Sequence, residues 1–236
     1  MTDHKKLERQ LSEELRLERR PVAVAFRESA PTQVSQFIGT EPSSCSFWRL
    51  AAEGRTFYTL ACDHYNCPIG SYTHNIPLPA DRAQELEQVL GLMTNIGYVR
   101  MEEVPTIPRL PTTPRVIIYA PLGETPVDPD VVLFSGRPGR LMLLQEAALR
   151  AGLVSQLNTL PRPTCMALPA ALATGIVAST ACIGNRIYTG MDDGDLYMAV
   201  RGTDVARIAA ETETIAGANV ALLEYHRNRR QSLATL

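Results

Sequence analysis

No run of this chain approaches the roughly 18 consecutive apolar residues that a membrane-spanning helix needs. The opening MTDHKKLERQLSEELRLERR is charged and has no apolar stretch of the kind a secretory signal carries. Neither sign of charge is in excess: 23 Lys and Arg stand against 25 Asp and Glu, for a formal net charge of −2 and a pI near 6.1. Such a chain has no field with which to gather nucleic acid or an acidic membrane surface. The expectation is a cytoplasmic protein with no nucleic-acid partner and no membrane span.

Compact catalytic signatures are missing as well. There is no nucleophile elbow and no Ser-His-Asp order, so hydrolytic catalysis is unsupported. No C-x-x-C pair marks a zinc ribbon or a ferredoxin-type run. VVLFSGRPGRLM is a strand, a glycine turn and a helix start carrying Arg137 and Arg140. It lacks the full dinucleotide or phosphate-loop pattern, and a capped turn accounts for it better than an anion site. MDDGD at 191–195 has three carboxylates but no later Glu at calcium-loop spacing, and reads as a solvated turn. HRNRR at 226–230 is a basic helix end that complements the helix dipole.

What is present is a chain of 236 residues, 45% hydrophobic, which suffices for a real core. Residues 4–20 read as a helix with Leu7, Leu11 and Leu15 on one face, stopped by Pro21. PVAVAF, RTFYTL, RVIIYAPL, DVVLFSG, GIVAST and DLYMAV read as strands. SFWRLAAEG, PADRAQELEQVLGLMTNIG and RPGRLMLLQEAALRAG read as helices closed by Gly54, Gly97 and Gly152. EEVPTIPRLPTTP holds four prolines and reads as a linker or extended edge. A short apolar helix follows Cys165, CIGNR reads as a turn, and two helices run through TDVARIAAETETIAG and ANVALLEYHRNRR. Interspersed strands and helices predict an α+β fold, with mixed α/β as the alternative. The predicted architecture is a single compact domain over residues 1–236, its central sheet flanked by helices.

The five cysteines are Cys45, Cys62, Cys67, Cys165 and Cys182. In a reducing compartment they are free core thiols, metal ligands or reactive groups, and an odd number fits a disulfide framework badly. ACDHYNCPIGSYTH, residues 61–74, concentrates two of them with His64 and His74 in what reads as a polar loop. Cys45, Cys67, Cys165 and Cys182 all fall at element boundaries, where nearby backbone N–H groups favour thiolate. The competing account is that a free Cys is a small hydrophobe that packs anywhere. His64 and His74 are either metal-shell or thiolate partners, or plain loop histidines. Arg186 lies close to Cys182. An internal echo also exists: Cys45 leads through Ala51-Ala52 and Gly54 to TLAC at Cys62, and Cys165 leads through Ala170-Ala171 and Gly175 to STAC at Cys182. Both intervals are 17 residues, as a decayed duplication or chance would give.

Taken in order, PVAVAF, a Cys ahead of AAEG, FYT with NCPIG, APL with DPDVVLFSGRPGRLMLL, a second Cys before a small-residue helix, and ACIGNR resemble the domain-of-unknown-function 169 family (ArCR-like proteins) over roughly residues 21–210. The resemblance implies grouping more than activity. The family's four cysteine positions match Cys45, Cys67, Cys165 and Cys182, while Cys62 has no counterpart. CDHYNCPIGSYTH is richer than the family's usual Cys-Pro-Gly-Gly loop, and GRPGR stands where the family tends to carry an acidic or amide residue.

Together the residues and the resemblance predict a redox or cofactor-handling protein with one [4Fe–4S] cluster on Cys45, Cys67, Cys165 and Cys182, serving electron transfer to an unidentified redox partner or acting on a small-molecule ligand. His64, His74, Cys62 and Arg186 would surround the cluster. The alternatives are a structural zinc on the same thiolates and a haem or other tetrapyrrole on Cys67, His64 or His74. One metal centre requires Cys67 and Cys165, 98 residues apart, to meet in one coordination sphere, with RVIIYAPL and DVVLFSG forming the sheet that joins them.

Overall fold

The computed structural model describes residues 2–154, 157–160 and 162–234. Short apolar and β-branched runs, buried on both faces in all but the edge strand β5, form β1 (Val22–Arg27), β2 (Phe57–Thr59), β3 (Val116–Pro121), β4 (Val131–Gly136), β5 (Asn158–Leu160), β6 (Ile176–Ser179) and β7 (Leu196–Arg201) in one sheet of order β2-β3-β1-β4-β7-β6-β5. Every pairing is antiparallel except β5 with β6. Alternate side chains go to opposite faces: Val22, Val24, Leu133, Tyr197 and Ala199 join one core, and Ala23, Val132, Phe134, Met198 and Val200 the other.

The helices are α1 (His4–Leu15), α2 (Ser46–Ala52), α3 (Pro68–Thr73), α4 (Ala83–Asn95), α5 (Pro138–Arg150), α6 (Ala167–Thr174), α7 (Ile183–Thr189) and α8 (Val205–Ala234). α1, α5 and α8 cover the second core face, where Leu11 and Leu15 are fully buried. Burial of each contributes about 2 kcal/mol. α2 and α6 lie on the first face, flanked by α3 and α7. The fold is α+β, as predicted, and one sheet runs through the whole chain.

The sheet repeats a plan about the β1–β4 pair. On one side the order outward is β1, β3, β2, and on the other β4, β7, β6. Beyond β2 a single parallel bridge joins Gln36 to Tyr58, and beyond β6 lies the parallel strand β5. Each half runs strand, cysteine, helix, glycine, short strand, cysteine, helix, long strand. Gly54 and Gly175 mark the same point in both, with φ of 104° and 94°, a conformation that L side chains rarely adopt. This plan pairs Cys45 with Cys165 and Cys67 with Cys182. The equal 17-residue intervals had pointed instead to Cys62 as the partner of Cys182.

Several segments depart from the sequence expectations. Arg16 turns left-handed at φ 50° and ends α1 before residue 20. The 61–74 stretch is a 3₁₀ turn over Ala61–His64 followed by α3, because Pro68 sits favourably in the first turn of a helix. The proline-rich segment contains a 3₁₀ helix at Met101–Thr106, and CIGNR opens α7. The two C-terminal helices are one, since Gly217 within the alanine-rich run costs only about 1 kcal/mol.

Candidate functional site

Four cysteines from four segments gather on the first face, where the two halves meet. Cys45 and Cys165 are buried, Cys45 at the N-cap of α2 and Cys165 in the 3₁₀ turn Thr164–Met166 that leads into α6. Cys67 and Cys182 are half-buried at the N-caps of α3 and α7. The Gly70 N–H donates to the Cys67 sulfur at 3.2 Å. The Cys182 N–H donates to Thr164 Oγ1 at 2.6 Å, which ties α7 to the residue before Cys165. The Cys165 thiol in turn reaches the Ile69 carbonyl at 3.9 Å, tying α6 to α3 across the two halves. Gly70 permits this close approach: a Cβ there would run into Ser44 and stand 2.9 Å from the Cys67 sulfur.

The thiols sense one another. Burial pushes Cys45 well up, and the nearby thiols of Cys165, Cys67 and Cys182 push it further, against the side chain of Asn185. Burial raises Cys165, helped by Cys67 and Cys182 and opposed by Thr73. Burial raises Cys67 too, with Ser44 and Gly70 opposing and Cys182 adding. At neutral pH these three thiols therefore stay protonated, because no cation among the described residues compensates the loss of water.

The histidines belong to the core, not to a polar loop. His64 is buried, with Nδ1 bonded to Ser44 at 3.0 Å and Nε2 to Thr59 at 2.9 Å. Burial and the adjacent His74 hold it well below its ordinary range. His74 Nδ1 lies 2.7 Å from the Gly70 carbonyl. A carbonyl only accepts, so Nδ1 carries the proton and Nε2 is a bare acceptor. That Nε2 has no partner among the described residues, and burial lowers the imidazole to about 4. Tyr119 is likewise fully buried with its hydroxyl unpartnered, and burial followed by Cys45 and Cys165 pushes it well above its usual value.

Cys62 is exposed on the Ala61–His64 turn and is not among the thiols acting on Cys45, Cys67 or Cys165. Arg186 is engaged with the Thr180 and Ala181 carbonyls and with Asp193, bracing the turn before α7. Arg137 pairs with Asp192 at 3.0 Å and Asp195 at 3.4 Å, so GRPGR is joined to MDDGD by ion pairs. The ring of Ser44, Thr73, Thr164, Tyr119 and Asn185 escaped the sequence reading. One signal was available: a hydroxyl residue precedes the first cysteine of each half, Ser44-Cys45 and Thr164-Cys165.

Among the described residues, no three His, Cys, Asp or Glu side chains are placed to hold a metal ion. This corrects the [4Fe–4S], zinc and haem expectations, and with them the iron–sulfur electron-transfer role. Cys45, Cys67, Cys165 and Cys182 act on one another electrostatically without forming one coordination sphere. Burial holds Cys45, Cys67 and Cys165 as thiols against the opposing hydrogen bonds of Ser44 and Thr73, and both nitrogens of His64 are already bonded. All five cysteines are free. None of the described helices is long and apolar enough to cross a membrane.

The model of the family described as DUF169, uncharacterised ArCR, matches residues 10–211. The chain belongs to that family. No curated protein and no solved structure matches it.

Proposed function

We propose that this member of the DUF169 family is a cytoplasmic small-molecule-binding protein whose ligand is held among Cys45, Cys67, Cys165 and Cys182. The observation that carries the reading is the orphaned Tyr119 Oη, which lies within the influence of Cys45 and Cys165, together with a second buried orphan, His74 Nε2, on the ring next to His64. Buried polar atoms are nearly always partnered, and an orphaned hydroxyl beside two of the thiols, with a bare imidazole nitrogen in the same core, marks a place for something the chain itself does not supply. The chemistry follows from the protonation states. Cys45, Cys67 and Cys165 held protonated and His64 and His74 held neutral contribute no formal charge at pH 7. The site suits a neutral, polarisable ligand that donates a hydrogen bond to His74 Nε2 and meets weak S–H donors. Protonated thiols are poor nucleophiles, so recognition fits better than covalent catalysis. Five free cysteines suit a reducing compartment.

Two measurements test this. Native mass spectrometry of the purified chain should reveal a non-covalent organic adduct that denaturation releases, and that the Tyr119→Phe, His74→Leu double variant lacks. In parallel, o-phenylenedimaleimide should bridge Cys67 to Cys182 in the folded chain. A chain that bridges normally yet carries no adduct sinks the ligand reading, and failure to bridge sinks the thiol cluster itself.

A further inference from the structure

A concavity lies on the first face of the sheet, between α2 and the ends of β1, β4 and β7, with a volume of about 280 Å³. That is roughly nine times the ~30 Å³ share of a liquid water, room for a ligand about the size of a single ring with its substituent. Its floor is apolar and aromatic: Trp48 and Tyr197 meet edge to face at 5.4 Å beside Val22 and Leu133. Trp48 is 1% exposed, and its Nε1–H has no acceptor among the described residues.

The charges at the mouth are unequal in their freedom. Arg20 is held by Glu8 at 2.5 Å and Glu124 at 2.7 Å. Arg49 is held by Glu53 at 3.0 Å and Glu41 at 3.7 Å. Arg19 has no carboxylate partner among the described residues and only donates to the Gly190 carbonyl at 3.1 Å. Its charge is felt by the Tyr197 hydroxyl on the floor. Glu18, also at the mouth, is exposed and makes no ion pair with Arg19.

We infer that this cleft is a binding site for a small organic anion, with a flat apolar body against Trp48 and Tyr197 and an anionic headgroup on Arg19. An uncommitted guanidinium above an aromatic floor is what such a ligand needs. Arginine binds carboxylate and phosphate through two parallel N–H donors, and the Trp48 N–H is available to an acceptor on the ring. The inference is independent of the thiol cluster and stands if that reading falls.

Trp48 is the chain's only tryptophan, which makes it a built-in reporter. The whole protein is titrated with benzoate, phenyl phosphate and the neutral benzyl alcohol, followed by Trp48 fluorescence and by calorimetry. Saturable binding of one or both anions, at least tenfold tighter than benzyl alcohol and weakened by added salt, supports the site. Benzoate alone marks a carboxylic acid, and phenyl phosphate alone a phosphate monoester. Arg19 is partly exposed, so Arg19→Gln should keep the fold and weaken anion binding about tenfold or more. No saturable binding of either anion by either method, affinity equal to that of benzyl alcohol, or indifference to Arg19→Gln overturns the inference.

Discussion

Thr164 Oγ1 accepts the backbone N–H of Cys182 at 2.6 Å, and so fixes the start of α7 against the entry to α6. Ser44 stands to Cys67 in the corresponding relation, opposing the rise of that thiol with both its backbone and its side chain. In each half the hydroxyl before the first cysteine addresses the second. Thr164→Val should therefore strand the Cys182 amide and lower stability by about 1–3 kcal/mol, while Thr164→Ser should retain most of it. Urea unfolding of the two variants checks this, and equal losses would count against a hydrogen-bonding role.

Gly70 and Gly91 should respond in opposite directions to alanine. At Gly70 a methyl meets Ser44 and the Cys67 sulfur, and the overpacking should cost about 1–3 kcal/mol. At Gly91 in α4 nothing lies within 4 Å, so Gly91→Ala should stabilise by about 0.5–1 kcal/mol through helix propensity. Thermal melts of the two variants give the signs directly.

The buried His74 makes stability fall on mild acidification. Its imidazole titrates near 4 in the folded chain against 6.5 when free, so the unfolded chain takes up the proton first. The contribution is complete above about pH 6.5 and is lost as pH falls through 4. At about 1.4 kcal/mol per pH unit it amounts to about 3 kcal/mol, and His64 acts in the same direction. Unfolding free energies at pH 7 and pH 5 should differ less in His74→Gln than in the unaltered protein.

On the alkaline side the thiols act with the opposite sign. Cys45, Cys67 and Cys165 hold their protons above the free value of 9.0, so the unfolded chain ionises first and stability declines as pH rises beyond about 9. Unfolding at pH 8 and pH 10 should show the loss, reduced in Cys165→Ala. Iodoacetamide at pH 8 should label exposed Cys62 rapidly and reach Cys45 and Cys165 only on unfolding.

The distal part of α8 should be dispensable for folding. Its buried residues are Val205, Ile208, Ala209 and Thr212, and beyond Gly217 the described residues are exposed except half-buried Asn219. Ending the chain at Ala216 should shift the melting temperature by no more than a few degrees, which circular dichroism will show. A collapse of the fold would mean that the exposed turns carry more than they bury.

The sequence alone determined the local elements and the four boundary cysteines. β3, β4, β7 and α5 follow from apolar patterning and from Pro138 and Gly152, which act within a few residues of chain. The distinction between Cys62 and the other cysteines was also legible, from the element boundaries and the family resemblance. Tertiary structure decided the rest. His64 and His74 read as polar loop residues because their neighbours are Asp, Asn and Gly, yet contacts with Thr59, Phe47 and Phe26 bury them. The match of Cys67 to Cys182 rests on sheet order, which no equal spacing records. Whether four boundary thiols form one coordination sphere depends on positions set by residues about a hundred apart, which leave no local mark in the sequence.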